Sequence, residues 1–381
     1  MNEFTDADDE RFRSMIKVLA VGQVPPPWGG QAVMIQKLLD ANLPDVDLNF
    51  VPMSFSSDMD EIGRFRWKKL FQLPTLVFRI WKARFQKGCK ILYYPPGGES
   101  ITAICRDIFV LLLCRHAFHK TVFHVHAGGF TEVVDQAPRL IRVLAFMAYG
   151  RPDLVIQLTE KSPPDADRIR ATKTINVPNG IADEAGSWGW QKRSDSSEPL
   201  KLLFVGVVGP SKGVLVLLEA CALLKERGIP FFLNIIGRFY SPEFEQICRQ
   251  FVTDHDLEPS ICFAGVQTGD KKWIFFRESD IFCFPTYFES ENQSLVVLEA
   301  MQFSLPCVAS DWRGISSMIQ DGENGFLVPI KNPAVFADRV AELARDPVLR
   351  SEMGEKAREL FLNDFTEAVW IERMNGVMRA I

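Results

Sequence analysis

The hydrophobic pattern begins with an apolar run, Ile16-Lys17-Val18-Leu19-Ala20-Val21, that stops at Gly22. A loop of Pro25-Pro26-Pro27-Trp28-Gly29-Gly30 follows, and apolar residues then recur at helical spacing through Val33, Ile35, Leu38 and Leu39. That is strand, glycine turn, helix. Further short strand-like runs are expected at Lys90–Tyr94, Thr121–Val125 and Leu154–Leu158. The pattern restarts at Leu202–Val205 as strand, Gly206–Gly213 as turn and Val214–Leu224 as helix. More strands are expected at Phe231–Ile236, Ile261–Phe263, Ile281–Phe284 and Pro306–Ala309. Short apolar runs alternating with helix-length segments predict parallel sheets wrapped by helices, here as two tandem α/β domains.

The break between them falls at Ala182 to Pro199, which is polar, rich in Gly and Ser, and aperiodic. The expected division is an acidic tail over 1–13, a first domain over 14–182 and a linker over 183–199. A second domain then covers 200–360, and a helix over 361–381 packs back on the first. Open α/β sheets bind ligands at the carboxyl ends of their strands, so two such domains facing one another would share a cleft.

Composition narrows the class. In 381 residues, 47% are hydrophobic and 24% charged, which excludes wholesale disorder. The longest apolar candidate for a membrane span, Ile108 to Cys114, is far below the ~18–20 residues needed. Met1 to Arg13 is acidic, unlike an export signal, so a cytoplasmic location is expected. Eight single cysteines without a CxxC pair read as reduced core thiols. The net charge of −5 argues against a nucleic-acid binder, yet it is unevenly divided. Residues 14–190 carry 21 basic and 16 acidic side chains, whereas residues 191–381 carry 20 and 27.

Two glycine loops stand at strand-to-helix turns, where backbone can approach a bound group and free N–H groups face it. One is Gly29-Gly30. The other runs Gly206-Val207-Val208-Gly209-Pro210-Ser211-Lys212-Gly213, with Lys212 placed to reach an anion. Neither has the Walker A spacing, and no G-x-G-x-x-G follows the first strand. Gly209 to Gly213 also fits the G-x-S-x-G elbow of a serine hydrolase, which would make Ser211 the nucleophile and His255 its base.

Glu291 and Glu299 stand seven residues apart in Phe284-Pro285-Thr286-Tyr287-Phe288-Glu289-Ser290-Glu291-Asn292-Gln293-Ser294-Leu295-Val296-Val297-Leu298-Glu299-Ala300-Met301. A helix starting near Ser294 would hold Glu299 inside an almost wholly apolar run. A carboxylate there needs a hydrogen-bonding partner.

This segment resembles the E-x7-E signature of retaining nucleotide-sugar glycosyltransferases of family 4, and the resemblance implies two Rossmann-like domains facing a cleft, the GT-B fold. Val205 through Val214 is similar to that family's phosphate loop, Val177-Pro178-Asn179-Gly180-Ile181 to its turn at the end of the first domain, and Asp321 through Val328 to the stretch after its donor site. The resemblance implies that Glu291 contacts the donor sugar and stabilises positive charge at its anomeric carbon, and that Glu299 accepts hydrogen bonds from the nucleotide ribose. Lys212 would neutralise the leaving diphosphate, helped by the Gly29-Gly30 turn. Gly265 and Val266 would pair with the base, and His126 would meet the donor sugar. Asn292, Gln293, Ser294 and Leu295 complete the implied donor-binding set. The resemblance implies a nucleoside-diphosphate sugar as donor, with no separate cofactor and no metal.

Two departures stand out: Val207 where the family carries arginine, and Ser317 where it carries glutamate. Arg238 is the candidate replacement for the missing cation. The departures leave a catalytically silent sugar-nucleotide- or membrane-binding protein as the alternative.

His116, His119, His124 and His126 lack the neighbours of a metal site, so all but His126 read as core or surface residues. Between Gly63 and Gly98 there are nine bases and no acid, interleaved with aromatic residues. With Pro74 between them, two amphipathic helices are expected, either packed with a basic solvent face or lying on an anionic membrane. On the second reading residues 63–90 dock on the inner leaflet, the protein is cytoplasmic and peripheral, and the acceptor is a lipid-linked or envelope glycan. No nucleic-acid partner is expected.

Overall fold

A computed structural model describes residues 15–26, 28–53, 67–98, 100–189 and 199–381. The acidic tail, Arg64, Arg66 and most of the expected linker lie outside these residues. The chain divides into two compact units: Met1–Pro178 with Trp370–Ile381, and Asn179–Val369.

Unit 1 is built on a six-stranded parallel sheet ordered β2-β1-β3-β4-β5-β6. Its elements are β1 (Ile16–Gly22), α1 (Gly30–Asp40), β2 (Val46–Pro52), α2 (Trp67–Lys87), β3 (Ile91–Tyr94), α3 (Ile101–Cys114), β4 (Lys120–Val125), α4 (Phe130–Gln136), α5 (Arg139–Tyr149), β5 (Leu154–Gln157), α6 (Asp165–Arg168) and β6 (Thr174–Asn176). Right-handed crossovers place α1 on one face and α2, α3 and α5 on the other, because β1 to β2 steps one way and the later crossovers step the opposite way. Val18, Leu19, Val21, Leu92, Val122, Phe123 and Val155 are almost wholly buried between these layers. The returning C-terminal residues belong to this unit, with Trp370 buried and Arg379 paired with Asp45.

Unit 2 is a second six-stranded parallel sheet, ordered β12-β11-β10-β7-β8-β9. It contains α7 (Glu184–Ser187), β7 (Leu200–Val205), α8 (Val214–Glu226), β8 (Phe231–Ile236), α9 (Pro242–Asp254), β9 (Ile261–Gly265), α10 (Asp270–Glu278), β10 (Ile281–Phe284), α11 (Leu295–Gln302), β11 (Cys307–Ser310), β12 (Gly325–Val328), α12 (Pro333–Arg345) and α13 (Pro347–Asp364). The last helix, α14 (Glu367–Arg379), leads into unit 1. A ladder of rings runs through the core: Trp273 and Phe276 stack on Phe303, Phe276 on Phe282, Phe282 on Phe284 and Phe284 on Phe204, at centroid distances of 5.8–6.2 Å. Six of the eight cysteines are buried and all are free. Burial pushes the Cys307 thiol up to about 12, where it is inert.

Three strands went unrecognised in the sequence, and all are sheet edges. Strand β2 interrupts its apolar pattern with half-buried Asp47 and Asn49, and β6 exposes Thr174 and Asn176. Four-residue β12 follows directly on the turn at Asp321–Asn324.

Three expectations are corrected. The two helices around Pro74 are one, α2, with Pro74 inside it. Pro74 is exposed two turns into the helix, and the missing backbone bond is offset by burial of Leu76 and Ile80 and by Trp81 and Arg84 donating to the carbonyls of Leu113 and Ala117. The first half of the linker is folded: Asp183 caps α7 through the Gly186 amide and takes a two-pronged pair from Arg358 at 2.6 Å. Burial raises the Asp183 carboxyl, but the Arg358 fork outweighs it and holds the group below its ordinary value. The chain therefore changes unit at Pro178, not Ala182, and returns at Trp370.

At the carboxyl edge of unit 2 the loops after β7, β8 and β9 are laced by backbone bonds: Gly206 N to Ile236 O, Val208 N to Arg238 O, Tyr240 N to Val208 O and Gly237 N to Gly265 O. Gly237 has φ +146°, and a Cβ there would stand 1.7 Å from the Gly206 carbonyl oxygen. Gly237→Ala is expected to cost about 3 kcal/mol or more in urea unfolding followed by tryptophan fluorescence, because neither the backbone nor the facing carbonyl can yield.

Candidate functional site

The order of the unit 2 sheet reverses between β7 and β10, and the crevice outside the carboxyl ends at such a switch point is where open α/β sheets bind ligands. The loop after β7 ends in a single helical turn, Pro210–Lys212, closed by Gly213 at φ +74°. A Cβ at Gly213 would lie 2.0 Å from the Pro285 carbonyl, so glycine lets this loop press against the one after β10. Tyr287 N donates to Ser211 O across the same seam. Lys212 Nζ consequently sits 2.6 Å from Glu291 Oε2, with the Thr286 hydroxyl on the same oxygen at 2.9 Å. The ammonium also lies 4.4 Å from the Phe288 ring centroid, and Trp312 Nε1 holds the Phe288 carbonyl at 2.8 Å. Both charged groups are largely buried.

Ser294 stands at the N-cap position of α11 without a side-chain capping bond, and the interior of the helix holds Glu299. Lys272 of α10 meets Glu299 Oε1 at 2.6 Å, while Oε2 is buried with no hydrogen-bond partner among the described residues. Burial pushes this carboxyl up, against the pull of Lys272. Lys272 and Thr286 were not singled out in the sequence; an exposed-looking Lys in an amphipathic stretch carries no signal of a partner 27 residues away.

The remaining candidates of unit 2 fall into two groups. Gln293 uses its side-chain oxygen on the Asn179 amide and its carbonyl on the Asn179 side chain, tying the E-x7-E loop to the first residue of unit 2. Asn292 is buried beneath Gly314, whose Cβ would stand 2.4 Å from its Oδ1. Leu295 begins α11, half-buried. Gly265, with φ +66°, and Val266 are exposed at the end of β9, and Arg238 is exposed with its backbone in the laced edge. Ser317 closes a helical turn by donating to the Gly314 carbonyl, and Val207 is half-buried.

In unit 1 the sheet reverses between β1 and β3. Gly29 caps α1 and Gly30 opens it, and a Cβ on Gly29 would meet nothing within 4 Å, so the protein's own packing does not demand glycine there. Buried Asp107 accepts from the Tyr94 and Tyr149 hydroxyls, Arg106 and the Gly97 amide, fixing the loop after β3. The loop after β4 is held by Asp165, which accepts from Gly129 N, Thr131 N and the Thr131 hydroxyl. Neither carboxylate announced itself in the sequence. His126, just past β4, stacks on His124 at 3.9 Å, is 8% exposed, and has no hydrogen-bond partner on either ring nitrogen among the described residues. Burial pushes the Tyr93 phenol up, so it keeps its proton and donates to His124 Nδ1.

The hydrolase geometry is not assembled. In a βαβ unit the helix returns to the amino edge of the sheet, so His255, at the end of α9, lies across the sheet from Ser211. Its ring is stacked on Phe251 and its Nδ1 contacts the Phe251 carbonyl. Among the described residues no group of three or more His, Cys, Asp or Glu is gathered as a metal site, and no helix is long and apolar enough to cross a membrane.

Residues 188–360 match the family model described as Glycosyl transferases group 1. The chain is 27% identical over 188 residues to the putative colanic acid biosynthesis glycosyltransferase WcaL of Salmonella typhimurium, covering 48% of this chain and 46% of that one. It is 28% identical over 268 residues to the alpha-D-kanosaminyltransferase of Streptomyces kanamyceticus, covering 70% and 62%. The chain thus spans about half the length of the first of its curated relatives. Among solved structures, Anabaena HepE in complex with UDP superposes with a TM-score of 0.72 at 16% identity, covering 96% of this chain and 100% of that one. At that identity the likeness is one of fold, and the fold is GT-B.

Burial pushes His126 down from 6.5 to about 3, and both burial and His126 push His124 down. A histidine whose folded value is depressed contributes its full stability above its unfolded value of about 6.5 and loses it as pH falls below that. The loss is about 1.4 kcal/mol per pH unit for His126, roughly 2 kcal/mol by pH 5. Hydrogen exchange of β4 and β5 amides is expected to accelerate over this window, and His126→Phe is expected to flatten the dependence.

Proposed function

We propose, on the premise that residues 188–360 belong to the group 1 glycosyl transferases, that the chain moves a sugar from a nucleoside-diphosphate sugar to a hydroxyl acceptor with retention at the anomeric carbon. The observation that carries this is Glu299. Its Oε2 is a buried acceptor awaiting a donor, on the helix directly after the loop that places Glu291 against Lys212. A ribose hydroxyl satisfies Oε2, and Lys272 holds the other oxygen.

The chemistry follows from charge. Breaking the bond between the anomeric carbon and the diphosphate oxygen leaves the electron pair on the diphosphate and positive charge on the sugar. The acceptor oxygen forms the new bond on the same face and passes its proton to the departing diphosphate oxygen. Lys212 stabilises the departing anion and Glu291 the sugar centre, preorganised charges placed where charge develops. Lys212 and Glu291 neutralise one another in their pair, so an arriving diphosphate competes with Glu291 for the ammonium. Lys212 takes the electrostatic part that a divalent ion plays elsewhere, so the proposed reaction uses no metal. The exposed Gly265-Val266 edge is assigned to the base, Arg238 to support of the diphosphate and the Asn292–Leu295 turn to the donor. The roles implied for His126, Gly29 and Gly30 in unit 1 stay part of the proposal.

The relative named for colanic acid biosynthesis supports an envelope glycan as acceptor. A lipid-linked form of it, met at the inner face of the membrane by a cytoplasmic protein touching lipid through residues 63–90, is the finer version.

A thermal-shift panel of UDP-, GDP- and ADP-sugars tests the donor, since a ligand of the native state raises the apparent melting temperature. One nucleotide series is expected to stabilise the protein, and Lys212→Ala to abolish most of that shift. Glu291→Gln is expected to keep donor binding and lower donor turnover by roughly 100-fold or more. Binding without any turnover in the parent protein would favour the silent binding protein instead.

A further inference from the structure

Helices α2, α3 and α5 lie side by side on one face of the unit 1 sheet, with α3 packed between the other two. Their outward surfaces are unusual in the same way. On α3 the exposed positions Ile101, Cys105, Phe109 and Leu113 recur every fourth residue, a solvent-facing stripe with no charge in it. On α5 Leu140, Val143 and Met147 form a second stripe, 70%, 50% and 63% exposed. On α2 Phe78 and Phe85 are 67% and 61% exposed, one on either side of Lys82. Of the 17 large hydrophobic side chains exposed among the described residues, nine stand on these three helices.

Charge on this face has one sign. Among the described side chains, the exposed ionic groups of the three helices are Arg79, Lys82, Lys87, Arg139 and Arg142. Their single acid, Asp107, is fully buried in its tyrosine and arginine cage. Among the described residues, α4 beside them carries Glu132 and Asp135, and Asp135 is paired with Arg168. A soluble surface disperses its apolar residues among mixed charges; apolar stripes on helices whose exposed charges, among the described side chains, are all basic match an anionic bilayer.

We infer that unit 1 docks on anionic lipid through the combined α2–α3–α5 face, with Phe78, Phe85, Phe109, Leu113, Leu140 and Met147 entering the interface. Sequence pattern pointed only to residues 63–90; α3 and α5 supply most of the apolar surface, and they showed no basic clustering of their own. The docking rests on the geometry of unit 1. Only its use, bringing a lipid-linked acceptor to the enzyme, rests on the glycosyltransferase reading.

Cosedimentation of the full chain with phosphatidylcholine vesicles, and with vesicles containing about one third phosphatidylglycerol, tests it. Binding is expected to the anionic vesicles and to weaken with salt. Arg139→Glu with Arg142→Glu on α5 should lower partitioning at least tenfold, since each base near an anionic surface is worth ~1 kcal/mol, about fivefold. Leu140→Asp with Met147→Asp should abolish it. These exposed substitutions should leave the melting temperature and vesicle-free donor turnover unchanged, which separates failure of docking from failure of the enzymatic reading. Parent-like vesicle binding by both α5 variants would overturn the inference. So would a dimer in light scattering that the Asp variant dissolves without loss of vesicle binding, because the face would then be covered by a second copy.

Discussion

In unit 2, strand β10 pairs with β7 and not with β9, the strand that precedes it in sequence. That single pairing makes everything at the candidate site local. It sets the loop after β7 beside the loop after β10, 79 residues apart in the chain, so that Gly213 can close on the Pro285 carbonyl and Lys212 can reach Glu291. The ring ladder is part of the same constraint. Phe282 and Phe284 alternate onto one face of β10, stack with Phe204 of β7 and Phe276 of α10, and so couple the strand pairing to the helix that carries Lys272. The two Lys–Glu pairs depend on one piece of packing.

The pairs also differ in kind. Lys212–Glu291 is closed on itself, with Thr286 and the Phe288 ring completing its surroundings. Lys272–Glu299 leaves one carboxylate oxygen buried and unanswered among the described residues. A protein that gained only stability from these carboxylates would do better with apolar residues at both places, since burying an ion pair seldom repays its desolvation. One is satisfied and one is not, and the proposed donor site rests on that difference.

Much of this could be read in the sequence wherever a local pattern carried it. Strands buried on both faces, such as Leu200–Val205 and Ile281–Phe284, appear as apolar runs. Glu299 inside Leu295–Met301 announced a partner because an unpaired charge cannot stay in apolar surroundings. Edge strands β2 and β6 were invisible because one side of each has no neighbour to enforce burial. Pro74 suggested a break, but in α2 the tertiary contacts of Trp81 and Arg84 outweigh one absent hydrogen bond. Partners such as Lys272, Thr286, Asp107 and Asp165 could not be read, because nothing in a polar residue's own neighbourhood tells which distant group it will meet.

The uneven charge has a structural counterpart in unit 1. A net +5 over residues 14–190 would be unremarkable if the bases were spread evenly. Five of them, Arg79, Lys82, Lys87, Arg139 and Arg142, stand exposed on α2 and α5 beside the apolar stripes, while the single acid of α2, α3 and α5 is Asp107, buried where it latches Gly97. Removing an acid from a surface by turning it inward costs desolvation, and here four donors offset that cost. The same carboxylate thus fixes the loop at the switch point of the unit 1 sheet and keeps negative charge off the helix face, so the geometry of one end of the sheet and the electrostatics of its outer layer share a residue.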